Sequence, residues 1–321
     1  MRNMIKIPLE NFRLPDGLRF DYFICSSSFE ERCTTISSII PKDIVENVII
    51  YHFENNYEIS DTRLSDLKRL FQDKNIEVGI LKKHLPLSNF DAFIQRFNSL
   101  RENACIAIDI TTFTRENLLM LLRIASLKKG SFRFYFFYTP SEKYSSNVDI
   151  SELWLSRGVK EIRSVFSYPG DFSPIKSYLL IILTGFEYER SQILIDIYEP
   201  TRVVLGKATS TSSINPELAD INERNFNQLR GKNPYSDTFE FSCIDLDETM
   251  QIIREQIAKF ENDYNIIIAP MNNKLSSLSV GLVALEKPFV QICYASTNQY
   301  NIYGYSSPSN FVYLINLSQY L

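Results

Sequence analysis

Short apolar runs alternate with amphipathic stretches along nearly the whole chain. Val48-Ile49-Ile50 and Ile106-Ala107-Ile108 are unbroken and of strand length, the pattern of strands covered on both faces. Between them Leu64, Leu67, Leu70 and Phe71 recur at helical spacing. On this basis strands are expected at 20–26, 48–51, 76–81, 104–110 and 132–138. Helices are expected from 30, ending before Pro41, and at 60–72, 89–103 and 114–127. Residues 149–165 read as a helix, or a helix and a strand, finishing this unit, and Ser167-Tyr168-Pro169-Gly170-Asp171-Phe172-Ser173-Pro174 reads as a turn-rich linker. The order then starts again. Strands are expected at 178–183, 202–205, 238–243, 265–269, 289–294 and 311–317, and helices from Glu189 and at 216–229, 246–262 and 274–285. Regular alternation of strand and helix predicts an α/β fold of two tandem Rossmann-like units, each a doubly wound parallel sheet. The expected units are 1–168 and 177–321, joined by a linker at 169–176.

The two halves also echo each other in sequence. Ile24-Cys25-Ser26-Ser27-Ser28-Phe29-Glu30-Glu31-Arg32 returns as Ile182-Leu183-Thr184-Gly185-Phe186-Glu187-Tyr188-Glu189-Arg190, an apolar strand running into a Glu-Arg pair both times. The segment 106–115 returns at 265–274, and the paired tyrosines Tyr138 and Tyr144 return as Tyr294 and Tyr300. A repeat of this length is a whole domain. It predicts an internal duplication, with two similar units facing each other across a pseudo-twofold axis and function in a cleft between them.

Composition narrows the function classes. A chain of 321 residues with 45% apolar and 13% aromatic content is long enough for two cores. A net charge of −4 with no basic block argues against a duplex nucleic-acid partner, while a small nucleotide needs only a few cations. Five cysteines without a framework pattern fit a reducing compartment. The two histidines, His52 and His84, have no CxxC or HExxH beside them, so no metal is expected. No apolar run approaches the about 18 residues that span a bilayer, and the start has no long apolar segment, so a cytoplasmic protein without membrane contact is expected.

In open parallel sheets ligands sit beyond the carboxyl ends of strands, where strand order reverses. Two pairs of loops fall there. The first pair carries Ser26, Ser27 and Arg32 in one half and Thr184, Gly185 and Arg190 in the other. The second carries Asp109, Thr111, Thr112, Thr114 and Arg115, matched by Asn272, Asn273 and Lys274. Hydroxyl and amide groups followed by a cation at a helix start suit a phosphate, because free N–H groups and the helix dipole favour an anion. Tyr138 and Tyr294 could stack a base, or seal a core. Lys207 has no counterpart in the first-half loop His52-Phe53-Glu54-Asn55-Asn56, a sign that the halves have diverged. Neither GxGxxG nor GxxxxGK[ST] occurs, and no cofactor is expected.

The loop Asp109-Ile110-Thr111-Thr112-Phe113-Thr114-Arg115 resembles the strand-D-x-T-x-x-T-[KR] element of the CRISPR-associated Rossmann-fold sensor domains, abbreviated CARF, and of the related SAVED domains. The family element has two glycines before its Thr-Lys, where this chain has Thr112-Phe113 and Met271-Asn272. The resemblance implies paired Rossmann-like units that bind a nucleotide, such as a cyclic oligonucleotide, in prokaryotic defence or signalling. Output would pass through an effector protein partner or self-assembly. The residues leave two alternatives. One is a hydrolase cleaving a phosphodiester or N-glycosidic bond with Glu30, Glu31, Asp109, Glu187 and Glu189 as candidate acids and bases, Glu31, Asp109 and Glu189 foremost. The other is a scaffold subunit. In a blander reading the Glu-Arg pairs are first-turn helix residues, and Asp109 braces its own loop.

Overall fold

A computed structural model of the chain describes residues 3–54, 58–144, 154–302 and 305–321. The first stretch contains β1 (Met4–Pro8), β2 (Phe20–Ser27), a 3-10 turn (Glu31–Thr34) leading into α1 (Thr35–Ile39), β3 (Val45–Glu54), α2 (Glu58–Leu70) and β4 (Asn75–Lys82). It continues through α3 (Pro86–Ser99), β5 (Cys105–Asp109), α4 (Arg115–Leu127), β6 (Arg133–Tyr138) and β7 (Ser141–Tyr144). The second contains β8 (Ser156–Pro169), β9 (Ser177–Leu183), α5 (Tyr188–Tyr198), β10 (Arg202–Ala208), α6 (Pro216–Lys232), β11 (Asp237–Phe241), α7 (Leu246–Phe260), β12 (Tyr264–Pro270), α8 (Lys274–Glu286) and β13 (Gln291–Tyr300). Two last strands follow, β14 (Ser306–Pro308) and β15 (Phe311–Asn316).

The α/β architecture is as expected. One sheet has the order β1-β15-β6-β5-β2-β3-β4, the other β11-β10-β9-β12-β13-β8. In the first, β6, β5, β2, β3 and β4 are parallel, and β15 joins β6 antiparallel. In the second, β11, β10, β9, β12 and β13 are parallel, and β8 joins β13 antiparallel. Counted by sequence, both sheets have the parallel order 3-2-1-4-5, which reverses beside the first strand. In the first sheet that point lies between β2 and β5, in the second between β9 and β12.

Local sequence explains the helices that approach these points. Thr114 caps α4 by accepting the Asn117 N–H at 3.1 Å, and Asn273 caps α8 by accepting the Ser276 N–H at 2.9 Å. Both helices are buried along nearly their whole length; α8 carries Leu275, Leu278, Val280, Leu282 and Val283 around all its faces. A helix apolar all round is an interior element, so the strand-end loops before α4 and α8 are anchored firmly. The first core gathers Phe20, Phe23, Val48, Ile50, Leu67 and Phe71, the second Leu180, Ile182, Leu194, Leu205 and Ile267.

The division of the chain differs from the expected one. One compact unit is Met1–Ser146 with Gly304–Leu321, the other Asn147–Tyr303. The expected linker at 169–176 is not a boundary, because β8 runs through Pro169 and pairs with β13 from Ser156↔Tyr300 to Pro169↔Gln291. The strand expected at 311–317 closes the first sheet rather than the second, wedged between β1 and β6. An apolar strand does not encode which sheet it joins, and antiparallel addition accepts a strand from anywhere in the chain. Of the element expected at 149–165, residues 149–153 lie outside the described residues, and the rest is strand from Ser156 onward.

Candidate functional site

In the first unit the end of β2 and the loop after β5 meet side chain to side chain. Ser26 Oγ and Thr112 Oγ1 are 2.8 Å apart, and Thr112 Oγ1 also donates to the Ser26 carbonyl at 3.2 Å. Asp109 Oδ1 accepts the Thr111 N–H at 3.0 Å and the Thr111 hydroxyl at 2.5 Å. Thr111 Oγ1 in turn accepts the N–H of Thr139, just past β6. Beside them Ser27 Oγ lies 2.7 Å from Nδ1 of His52 on β3, whose Nε2 is 3.2 Å from Asp61 of α2. Ser26, Ser27, Asp109 and Thr111 are all within 2% of complete burial.

Burial dominates the state of Asp109. Desolvation pushes its carboxyl up to about 7, against the pull of the two Thr111 hydrogen bonds and of Arg32. All five cysteines are free and buried. Burial pushes the Cys33, Cys243 and Cys293 thiols up to about 12, so these side chains act as small hydrophobes.

The second unit closes the equivalent point with amides. Asn272 donates from Nδ2 to the Thr184 carbonyl at 2.6 Å, while its Oδ1 accepts from Asn273 N at 2.8 Å and Cys243 Sγ at 3.2 Å. Asn273 Nδ2 donates to the Cys243 carbonyl at 2.7 Å. Thr184 Oγ1 donates to the Gly206 carbonyl at 2.6 Å. No acidic side chain stands where Asp109 does; β12 ends in Ala269-Pro270.

The recurrent arginines form the same brace in each unit. Arg32 pairs with Glu30, donates from Nε to Ser306 Oγ at 2.9 Å and from Nη1 to the Thr139 carbonyl at 3.1 Å. Arg190 pairs with Glu187 at 2.8 Å, reaches Ser156 Oγ at 3.4 Å and donates to the Ala295 carbonyl. The serine then completes each triangle: Ser306 Oγ donates to Glu30 Oε2 at 3.0 Å, and Ser156 Oγ to Glu187 Oε1 at 2.5 Å. The Arg32 brace ties the segment after β2 to the residue just past β6 and to β14, the partner of β7; the Arg190 brace ties the start of α5 to β13 and to the edge strand β8.

This placement redistributes the expected residues. Ser26, Ser27, Asp109, Thr111 and Thr112 come together, as do Thr184, Gly185, Asn272 and Asn273. Thr114 is spent as a helix cap. Arg115 and Lys274 are half-buried first residues of α4 and α8. Glu31 and Glu189, expected as acids, are exposed; the acids that hold the arginines are Glu30 and Glu187. Tyr138 is sealed, its ring stacked on Tyr313 at 6.4 Å between centroids and 14° between planes. Tyr294 has the Arg163 guanidinium 5.7 Å from its ring centre. Lys207 pairs with Glu223 at 2.7 Å, and its first-half counterpart loop includes Asn55 and Asn56, which lie outside the described residues. His52, Thr139, Ser156 and Ser306 were not expected at the site. Nothing near Ser27 or Arg32 in sequence points to them, though Glu30 and Glu187 stood inside the repeated segment.

Among the described residues no group of three or more His, Cys, Asp or Glu side chains is placed to hold a metal ion. No described helix is long and apolar enough to cross a membrane. No family model and no curated protein matches the chain. Among solved structures it is similar to the cytoplasmic domain of a prokaryotic cation chloride cotransporter, at 8% identity and a TM-score of 0.26, covering 88% of this chain and 98% of that one. It is also similar to a keto acid-selecting NRPS module with adenylation, ketoreductase and pseudo Asub domains, at 12% identity and a TM-score of 0.22, covering 89% of this chain and 31% of that one.

Proposed function

We propose that the protein is a sensor that binds a nucleotide-type anion, with a cyclic oligonucleotide as the leading candidate, at the carboxyl ends of its parallel strands. One observation carries the reading. In each sheet the end of the first parallel strand is linked to the loop after the fourth, Ser26 to Thr112 and Thr184 to Asn272, and each of those loops runs into a buried helix whose first residue is a cation, Arg115 or Lys274. Open α/β sheets bind ligands at that point, and a helix N-terminus with a cation favours a phosphate. A sensor in a prokaryotic defence or signalling setting would pass its state to an effector partner or into self-assembly. The test is a thermal-shift screen with mononucleotides, dinucleotides, nicotinamide dinucleotides and cyclic oligonucleotides. Stabilisation by a nucleotide that is lost in a folded Arg115→Ala, Lys274→Ala double variant supports the reading; stabilisation unchanged in that variant overturns it.

Asp109 favours a second reading, a nucleotide hydrolase. A carboxyl held near 7 at a strand end can give or take a proton at neutral pH. Its test is product formation followed by mass spectrometry, expected to vanish in Asp109→Asn.

A further inference from the structure

The chain Ser27–His52–Asp61 has a direction. In neutral His52 a hydrogen on Nε2 faces the acceptor-only Asp61 carboxylate, 3.2 Å away. Nδ1 is then a bare acceptor, and the partner 2.7 Å from it, Ser27 Oγ, is the donor. A hydroxyl that gives its proton to an imidazole held in one tautomer by a carboxylate is the arrangement that activates a serine. The neighbouring hydroxyls are engaged differently: Ser26 Oγ faces Thr112, and Ser28 Oγ accepts the Glu30 N–H at 3.3 Å. Ser27 also stands at the end of β2, at the reversal of strand order where ligands enter folds of this kind. We propose that Ser27 is a nucleophile for esters, with His52 as its base and Asp61 as the residue that orients the base.

The reaction balances with water alone. Ser27 Oγ bonds to the carbonyl carbon or phosphorus of the ester as its proton passes to His52 Nδ1; the bond to the alcohol oxygen breaks, and the alcohol leaves with that proton. Water attacks the resulting ester of Ser27, its proton passing through His52 back to Ser27 Oγ, and the acid is released. Ser27 is fully buried and the His52 side chain 11% exposed, so reaction is expected to be slow.

The experiment incubates the full chain with a fluorophosphonate probe and maps the modified peptide by mass spectrometry, the probe losing fluoride as it bonds to Oγ. Modification of Ser27 is expected, absent in Ser27→Ala and slowed by about tenfold or more in His52→Gln and Asp61→Asn, since the orienting acid of such a set sets the reactive tautomer. Asp61 is 70% exposed, so Asp61→Asn retains the fold even if the other two variants do not. An unmodified Ser27 in folded protein overturns the proposal, as does modification at Ser26 or Ser28 instead, or a rate indifferent to Asp61→Asn. Where Ser27 reacts, p-nitrophenyl acetate and bis(p-nitrophenyl) phosphate separate carboxylic from phosphoric esters. The outcome does not depend on whether nucleotides bind at Arg115 and Lys274.

Discussion

A Cβ placed on Gly185 would lie 2.1 Å from the carbonyl oxygen of Met271 and 2.8 Å from the Cα of Asn272. The loops after β9 and β12 therefore touch backbone to backbone, and no side chain can rotate away to make room. Gly185→Ala is expected to destabilise the protein by about 3 kcal/mol or more, the upper range for overpacking, read as a lower urea midpoint. Gly231, in the last turn of α6 with nothing within 4 Å of its Cβ position, gives the opposite result. Gly231→Ala is expected to stabilise by about 0.5–1 kcal/mol by restricting the unfolded chain.

The Arg190–Glu187 pair, with side chains 6% and 15% exposed, couples a charge to a charge where water cannot replace either. Removing Arg190 strands the Glu187 carboxylate, so Arg190→Ala is expected to cost about 3–5 kcal/mol. In a double-mutant cycle with Glu187→Ala the coupling should exceed about 1 kcal/mol. The exposed Arg69–Asp66 pair on α2 should couple by no more than about 0.5 kcal/mol.

The parallel core was legible because its strands are apolar on both faces: Ile106-Ala107-Ile108 and the run from Leu179 to Leu183 permit no other placement. Turn chemistry likewise marked α4 and α8 through Thr114 and Asn273. The outer strands were not legible. Phe311–Asn316 reads as a buried strand, but its pairing with β6 depends on contacts distant in sequence. At the site, repetition exposed Arg32 and Arg190 but not which acid holds each, since Glu31 and Glu189 align with each other while the chain turns Glu30 and Glu187 inward. His52 escaped notice because a histidine at the end of a second strand meets Ser27 only once β2 and β3 pair, with Ser27 opposite His52.

Asn272 serves both as donor, to the Thr184 carbonyl, and as acceptor, from Asn273 N and Cys243. Asn272→Asp keeps the acceptor but turns the donor into a second oxygen facing a carbonyl. The change is expected to cost more than about 2 kcal/mol at pH 7, more than an average lost hydrogen bond, because a buried charge is added as well. Comparison of thermal midpoints for Asn272→Asp and Asn272→Ala measures the difference, with the aspartate the less stable.

Asp109 makes stability depend on pH in a fixed direction. Its carboxyl titrates at about 7 in the folded protein against an ordinary 3.8, so between these values the unfolded chain has lost a proton that the folded one retains. The stabilisation it gives is complete below 3.8, falls as pH rises, and is gone above about 7, a total on the order of 4 kcal/mol. Asp109→Asn keeps an oxygen to accept from Thr111 and has no proton to lose. Its urea midpoint, measured against the wild type, should therefore gain ground by about 2–3 kcal/mol between pH 5 and pH 8. A difference that is flat with pH would mean that the carboxyl ionises normally, and would remove the ground for acid–base chemistry at this strand end.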